Sequence, residues 1–388
     1  MKSARIVSID AFRGITILAM VFVNEIAGVS GIPQWLKHMP AHADAMSFPD
    51  VVFPAFLFIV GMSIPFAIRA RIAQGADGWA LQRHIAYRAL ALIVMGVFMV
   101  NAEGGYHAPS MAMPIAAWSL LFYAAAFLLW GVFRFRNPAV MRGLRALGLL
   151  VLLVLAALYR GGDDGQHGLR PQWWGILGLI GWAYLLASEF HLASRDRLWA
   201  VIGFLVLSVA YCVAVARLGV PAWAAWLAPH AAHAQIVLAG VACAMMFFGP
   251  LDGESVARRF ARAALFALVL AAAATLLRPA FPISKIHASP SWCLYTAALC
   301  VALFGLLYGV IDVRRHAGWT RWVEPAATSP LVAYLIPFVV GALMAWAGLQ
   351  LPMTLREGAV GLLWGAVYAA LVLAAVAWLN RRGVRLKL

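Results

Sequence analysis

Residues 50–68 read DVVFPAFLFIVGMSIPFAI, and the opening aspartate is their only charged residue. A helix needs about 20 mostly apolar residues to cross the hydrocarbon layer of a bilayer. The apolar residues form a continuous block and do not alternate with polar ones, which is unlike a half-buried strand. This segment is therefore predicted to be a membrane-spanning helix.

The whole chain of 388 residues has the same character. Apolar residues make up 64% of it, charged residues make up 12%, and the mean hydropathy is +0.86. Soluble globular domains contain roughly 45–50% apolar and about 25% charged residues. This composition excludes an ordinary soluble domain, a disordered chain, a collagen and a disulfide scaffold.

Twelve apolar blocks follow one another along the chain. They predict an all-α fold, a polytopic membrane bundle of about twelve transmembrane helices embedded in a lipid bilayer. The predicted spans cover residues 9–28, 50–68, 88–101, 113–133, 144–159, 172–188, 198–216, 235–250, 261–277, 292–311, 328–347 and 358–379.

The formal charge of +15 comes from 30 Lys and Arg against 15 Asp and Glu. With the N-terminus placed in the cytoplasm, 22 of the basic residues fall in cytoplasmic segments and 7 on the opposite side, while Arg13 lies within the first span. Because cytoplasmic loops of membrane proteins carry the excess of Lys and Arg, both termini are predicted to be cytoplasmic. The same distribution explains the charge without a nucleic-acid partner, and none is predicted.

Asp10 and Arg13 stand three positions apart at the start of the first span. Residues with this spacing share a helix face and can pair. One interpretation is a helix-entry cap with a snorkelling arginine. The other is a buried ion pair or anion site, because charges inside membrane helices are costly and usually functional.

The first outer loop and its flanks carry the second candidate group. Asn24 closes the first span, His38 and His42 lie in the loop, and Asp50 opens the second span. Histidine is the side chain best matched to proton transfer near neutral pH. Solvated bystander histidines are the alternative interpretation. The spacing matches no established zinc pattern, and no metal is predicted.

Lys285 lies in the segment PISKIHASPSW, residues 282–292, immediately before a late span. It is either an interfacial anchor or part of a site at the outer face.

Several motifs occur together in a specific order. They are R-x-x-S-I-D-x-F-R-G-x-T from Arg5, the V-N ending of the first span, the loop histidine, D-x-V-F-P-x-F-L-F-I-V-G-x-S-I from Asp50, and the late P-I-x-K. Together they resemble the heparan-α-glucosaminide N-acetyltransferase family, and more closely its bacterial branch of transmembrane acyltransferases. The likeness is dense over residues 5–70 and thin between 138 and 235.

The resemblance implies an enzyme of the bacterial inner membrane, a homodimer, that transfers acetyl from cytoplasmic acetyl-CoA to the amino group of a glucosamine-type sugar on the far side. It implies one transmembrane domain over residues 1–388. Its family-like core would be 5–133 and 198–379, with ten shared spans, and a helical hairpin would be inserted at 138–190. The family's N-S-L motif is Thr328-Ser329-Pro330-Leu331 here, so an amide side chain is lost.

The position that matches the family's catalytic histidine is His38, with His42 as the rival position. His38 would act as general base or as transient acetyl carrier, oriented by Asp50, while Asn24 would donate to the oxyanion. Substrate binding is predicted for Asp10, Arg13, Lys285 and His42, with acetyl-CoA as donor. Two alternatives stay open: a twelve-span secondary transporter for sugars or amino sugars, and an O-acetyltransferase acting on a periplasmic polysaccharide.

Overall fold

The computed structural model describes residues 6–133, 137–249, 254–386 and 388. The first residue of the predicted core, residue 5, lies outside these ranges. Five of the basic residues counted for the orientation also lie outside the described residues: Lys2, Arg5, Arg134, Arg136 and Lys387.

The described chain is a bundle of α-helices joined by short loops. Every one of the twelve predicted spans coincides with a helix, which confirms the predicted fold class. The helices are α1 (Val7–Ile26), α2 (Phe48–Ala73), α3 (Gly78–Glu103), α4 (Ile115–Trp130), α5 (Pro138–Leu158), α6 (Gly175–Ser194), α7 (Leu198–Leu218), α8 (Ala222–Phe248), α9 (Val256–Leu277), α10 (Pro290–Tyr308), the short α11 (Glu324–Thr328), α12 (Pro330–Trp346) and α13 (Gly358–Arg381).

Within the described residues, ten of these helices are long and apolar enough to cross a membrane, so the chain is a multi-pass membrane protein. The other two apolar helices, α4 and α12, have 16 and 17 residues. An α-helix of this length spans roughly 24–26 Å, slightly less than a typical hydrocarbon layer. The sequence placed the start of α8 at residue 235, but the helix begins at Ala222 and continues through Pro229.

Short backbone bridges join loops of the bundle, and their pairing agrees with α4 and α12 connecting its opposite ends. Ser30 pairs with Glu357 and Tyr106 with Gly161, whereas Gly131 pairs with Leu386. If all twelve long helices cross, the first two bridges lie at one end and the third at the other. We call the end that carries residues 27–47, 104–114, 159–174, 219–221, 278–289 and 347–357 the site face, and the other end the opposite face.

The centre of the bundle is α8, whose residues 230–247 are all buried and which packs against α2, α6, α7 and α10. Two glycines let α2 and α8 approach closely. A Cβ atom at Gly61 would overlap the carbonyl oxygen of Val237, and one at Gly240 would overlap that of Phe58. Small residues at such contacts are the usual means of close helix packing in membranes. This contact fixes α2, whose first turn carries Asp50.

The segment 138–190 forms two helices that pack mainly on different neighbours. Helix α5 lies against α4, and α6 lies against α3 and α8. At Gly96 and Gly178 the backbones of α3 and α6 touch, because a Cβ at Gly96 would overlap the backbone nitrogen of Gly178. Helix α6 is therefore part of the packed interior.

Candidate functional site

The first turn of α2 fixes the carboxylate of Asp50. Asp50 is the third residue of the helix and forms a capping box with Ser47. One carboxylate oxygen, Oδ2, accepts hydrogen bonds from the Ser47 backbone N–H at 3.1 Å, the Ser47 hydroxyl at 2.9 Å and the Met39 backbone N–H at 3.2 Å. Asp50 is 1% exposed, so these bonds compensate for the loss of water around its charge.

The second oxygen of Asp50 contacts the candidate histidine. His38 Nδ1 lies 2.6 Å from Asp50 Oδ1, and the imidazole side chain is 43% exposed at the site face. An ionised carboxylate only accepts hydrogen bonds, so this contact places a proton on Nδ1. The other ring nitrogen, Nε2, then keeps its lone pair. The Lys285 ammonium lies 3.3 Å from Nε2, so a substrate must displace this contact to deliver a proton there.

Lys285 is brought to the same imidazole from a distant part of the sequence. Its Nζ atom lies 3.2 Å from Nδ1 and 3.3 Å from Nε2 of His38, a separation of 247 residues along the chain. The protein surrounding the ammonium lowers the pKa of Lys285, while the negative charge of Asp50 acts in the opposite direction. The structure thus brings together three of the predicted site residues: His38, Asp50 and Lys285.

Asp44 fastens the loop that carries Lys285 to the loop that carries His38. Its carboxylate accepts hydrogen bonds from the Ile283 backbone N–H at 2.8 Å and from Arg278 Nε at 2.9 Å. The Ile283 N–H and then the Arg278 guanidinium lower the pKa of Asp44. A second link runs from the Ser284 hydroxyl to the carbonyl oxygen of Ala41, at 2.9 Å.

A third link lies beneath the site. The indole N–H of Trp292, in the first turn of α10, donates to the backbone carbonyl of Asp50 at 3.1 Å, and both residues are buried. Asp44, Ser284 and Trp292 assemble the site, but the sequence around each of them does not indicate this role. Their partners lie more than 200 residues away, and no local spacing signals such contacts.

Two further predicted residues lie at the site face without joining this cluster. Asn24 is near the end of α1 with an exposed side chain. Among the described residues it forms no hydrogen bond with His38, Asp50 or Lys285. His42 is also exposed and lines, together with Ala41 and Ser284, a groove of about 520 Å³.

Asp10 and Arg13 lie toward the other end of α1, near the opposite face. Arg13 Nη1 lies 2.9 Å from Asp10 Oδ1, and Nη2 donates to the Ser63 hydroxyl of α2 at 2.8 Å. The predicted pairing is therefore present, and it also ties α1 to α2. Asp10 lines a cavity of about 240 Å³ with Thr320 and Glu324. Substrate binding by the pair stays a prediction.

An amide side chain does stand beside the Thr328-Ser329-Pro330-Leu331 segment. The Ser329 hydroxyl donates to Asn380 Oδ1 at 2.6 Å, and Asn380 Nδ2 donates to the carbonyl of Pro325 at 3.3 Å. Asn380 belongs to α13, the last helix, so the sequence around residue 328 could not reveal it. Within the described residues, no group of three or more His, Cys, Asp or Glu side chains is arranged to hold a metal ion.

The chain is similar in sequence to one protein family and to curated proteins of two mammals. A family profile described as "Domain of unknown function (DUF5009)" matches residues 5–226. Human heparan-alpha-glucosaminide N-acetyltransferase is 38% identical over 98 residues, which are 25% of this chain and 14% of the human protein. The mouse protein of the same name is 35% identical with the same coverage. The aligned part of the chain therefore spans about a seventh of the length of these curated relatives.

Proposed function

The chain belongs to the family described as a domain of unknown function (DUF5009), and from this premise we propose that it is a membrane acetyltransferase. In this proposal it moves acetyl from cytoplasmic acetyl-CoA to the amino group of a glucosamine-type sugar at the outer side of a bacterial inner membrane. The named activity of the human and mouse relatives supports the reaction class. The observation that carries the proposal is the contact of His38 with both Asp50 and Lys285.

The contact of His38 with Asp50 supports a general base. An amine that attacks a thioester must lose a proton as the new bond forms. His38 Nε2 would accept that proton, and the buried carboxylate of Asp50 would stabilise the imidazolium that results. If Nε2 instead attacks the thioester carbonyl, the C–S bond breaks and coenzyme A leaves as the thiolate. The same pair would then hold a transient acetyl-imidazole, and the amine would attack it to form the amide and release the imidazole.

Lys285 and Asn24 are the proposed donors to the acyl oxygen. The Lys285 ammonium lies within 3.3 Å of the imidazole, where negative charge would develop on the tetrahedral intermediate. Asn24 would donate from the end of α1, at the site face. His42 would contact the acceptor from the adjoining groove.

The proposal also requires the acetyl group to reach His38 from the cytoplasm. Coenzyme A is polyanionic and does not cross a bilayer, but its pantetheine arm is long and thin. Six helices pack pairwise in a closed order, namely α1, α2, α6, α3, α4 and α12. We propose that this ring admits the arm from the opposite face, near Asp10 and Arg13, and that the enzyme works as a homodimer.

An assay of free thiol release tests the reaction. Purified protein in lipid nanodiscs would be given acetyl-CoA with a panel of amine-bearing and hydroxyl-only sugars. We expect thiol release with glucosamine-type acceptors and loss of turnover by at least 100-fold in His38→Ala, the lower end for removing a general base. His42→Ala is the matched control and should lose far less.

Three outcomes would contradict the proposal. Equal turnover with hydroxyl-only sugars would indicate O-acetylation. Uptake of labelled sugar into proteoliposomes without acetyl-CoA would indicate a transporter. Normal turnover by His38→Ala together with an inactive His42→Ala would move the base to His42.

A further inference from the structure

The groove beside the site has a strongly uneven lining. It occupies about 520 Å³ between the site-face ends of α7 and α8 and the segment 280–290. Its helical walls are built from small apolar side chains, among them Val215, Ala216 and Ala228, and Phe281 closes it from the loop. Its His and Ser side chains all belong to the two loops, and we call the loop side of the groove its polar end: His42, Ser284, His287 and Ser289. A free sugar, which has hydroxyls on all sides, would leave most of them unpaired against the apolar walls.

The polar end of the groove shares a wall with the candidate site. Ser284 lines the groove and donates its hydroxyl to the carbonyl oxygen of Ala41, which also lines it. The next residue after Ser284 is Lys285, whose Nζ contacts His38. A molecule whose polar head occupies this end of the groove would therefore lie next to the imidazole.

The groove lies between helix ends at the site face, where the spans predict the membrane surface, and a cation contacts one of its lining residues. Trp223 and Trp226, in the first turns of α8, are 78% and 47% exposed, as is typical of residues at the boundary of lipid and water. The Arg217 guanidinium, at the end of α7, lies 5.6 Å from the centroid of the Phe281 ring. A guanidinium in this position is suited to a phosphate group.

We propose that the groove binds the apolar chain of a lipid-carried acceptor, with a phosphate near Arg217 and the amino sugar at the polar end beside His38. The acceptor is then a lipid-linked amino sugar of the outer leaflet. This inference rests on the proposed acetyl transfer. It adds that the acceptor arrives through the membrane plane, and that the groove selects amphiphiles over free sugars.

A series of methyl, octyl and dodecyl glucosaminides tests the apolar part. In nanodiscs, KM is measured for methyl glucosaminide and for dodecyl glucosaminide, and the first value is divided by the second. We expect this ratio to be about tenfold larger for the wild-type protein than for Ala228→Trp, in which the indole fills the groove. Ala210→Trp, on the exposed face of the same α7–α8 pair, should keep the wild-type ratio. Because both variants share the same lipid, partitioning of the long chains into the bilayer cancels in this comparison.

Arg217 tests the phosphate. Arg217→Gln should raise KM about tenfold for an acceptor that carries a lipid phosphate and leave KM for dodecyl glucosaminide within twofold of wild type. An equal effect on both acceptors, or on neither, would overturn the assignment of Arg217.

A second readout is independent of catalysis. A glucosaminide with a diazirine in its alkyl chain should label peptides of α7 and α8 in the wild-type protein and lose this labelling in Ala228→Trp. Labelling that is equal in both proteins, or concentrated on the exposed face of α9, would overturn the groove assignment. Turnover of methyl glucosaminide with no chain-length effect would refute the groove and leave the acetyltransferase intact, whereas no turnover with any acceptor would refute the acetyltransferase itself.

Discussion

Asp50 uses its two carboxylate oxygens for two different tasks. Oδ2 closes the cap of α2 and binds the Met39 backbone, while Oδ1 contacts His38 at 2.6 Å. The three hydrogen bonds to Oδ2 fix the position of the carboxylate, and this position determines where Oδ1 contacts the imidazole. The orientation of His38 is therefore fixed by the start of a helix that is itself buried in the bundle.

Asp50→Asn separates the charge of this residue from its shape. The amide can keep some of the hydrogen bonds, but it no longer requires a proton on His38 Nδ1 and no longer stabilises the imidazolium. We expect kcat to fall by about two to four orders of magnitude, the range for losing general acid–base catalysis. Ser47→Ala is the control: it removes one cap bond, at a cost of about 1 kcal/mol of stability, and should leave most of the activity. Equal losses in both variants would contradict a catalytic role for the Asp50 charge.

Lys285 gives a pH dependence of stability with a definite sign. Its pKa in the folded protein is lowered, so between that value and the ordinary lysine pKa of about 10.4 the unfolded chain binds more protons than the folded one. Stability then rises with pH through this window, and the full destabilisation is present below it. We expect Lys285→Met to melt at a higher temperature than wild type at pH 7, and this advantage to shrink as the pH approaches 10. An advantage that grows with pH would contradict the lowered pKa.

The hydrogen bonds of Asp44 act as a clamp that joins the loop after α1 to the loop after α9. Asp44→Ala removes the hydrogen bonds to Ile283 and Arg278 and should release segment 278–289, which moves Lys285 away from His38. We expect faster amide hydrogen exchange in that segment and a decrease in kcat of about tenfold or more. The matched control is Asp164→Ala, because Asp164 also has a lowered pKa but accepts its hydrogen bond from Gln166, within its own loop. Unchanged exchange at 278–289 would show that the clamp does not order the loop.

The contact of α2 with α8 makes a prediction about stability. A side chain at Gly240 must displace the backbone of Phe58, so Gly240→Val forces two central helices apart. Overpacking of a well-packed core typically costs about 1–3 kcal/mol, and a backbone displacement lies at the upper end. Gly203→Val on α7 is the control, because a Cβ there meets open space. Thermal unfolding in nanodiscs should separate the two variants clearly, and equal melting temperatures would contradict the packing argument.

The helices are the part of the structure that the sequence predicted best. Blocks of about 20 apolar residues have one low-energy arrangement in a bilayer, the helix, so all twelve spans were predictable. The start of α8 was missed because polar and Trp-rich residues at the membrane surface weaken the hydropathy signal before residue 235. The pairing of Asp10 with Arg13 was predictable because it depends only on helical spacing. The clamp at Asp44 and the amide of Asn380 were not, because each depends on a contact between distant parts of the chain.

For the whole molecule, the predicted orientation places the site face outside the cytoplasm. Ser110→Cys and Ala139→Cys flank α4, the shortest of the twelve long helices, and lie on opposite sides if it crosses the membrane. Since all four native cysteines are buried, a membrane-impermeant maleimide on intact cells should label position 110 and should label position 139 only after lysis. Labelling of both on intact cells would show that α4 does not span the bilayer. The opposite pattern would invert the orientation.

The distance along the chain between His38 and Lys285 has a consequence for biosynthesis. The histidine enters the membrane with the first hairpin, but the lysine follows the ninth helix, and Trp292 beneath the site comes later still. A nascent chain therefore displays an imidazole and its carboxylate long before the ammonium joins them. The candidate site is complete only when most of the polypeptide has been synthesised, so a truncated product that ends before α10 carries His38 and Asp50 without the contact from Trp292.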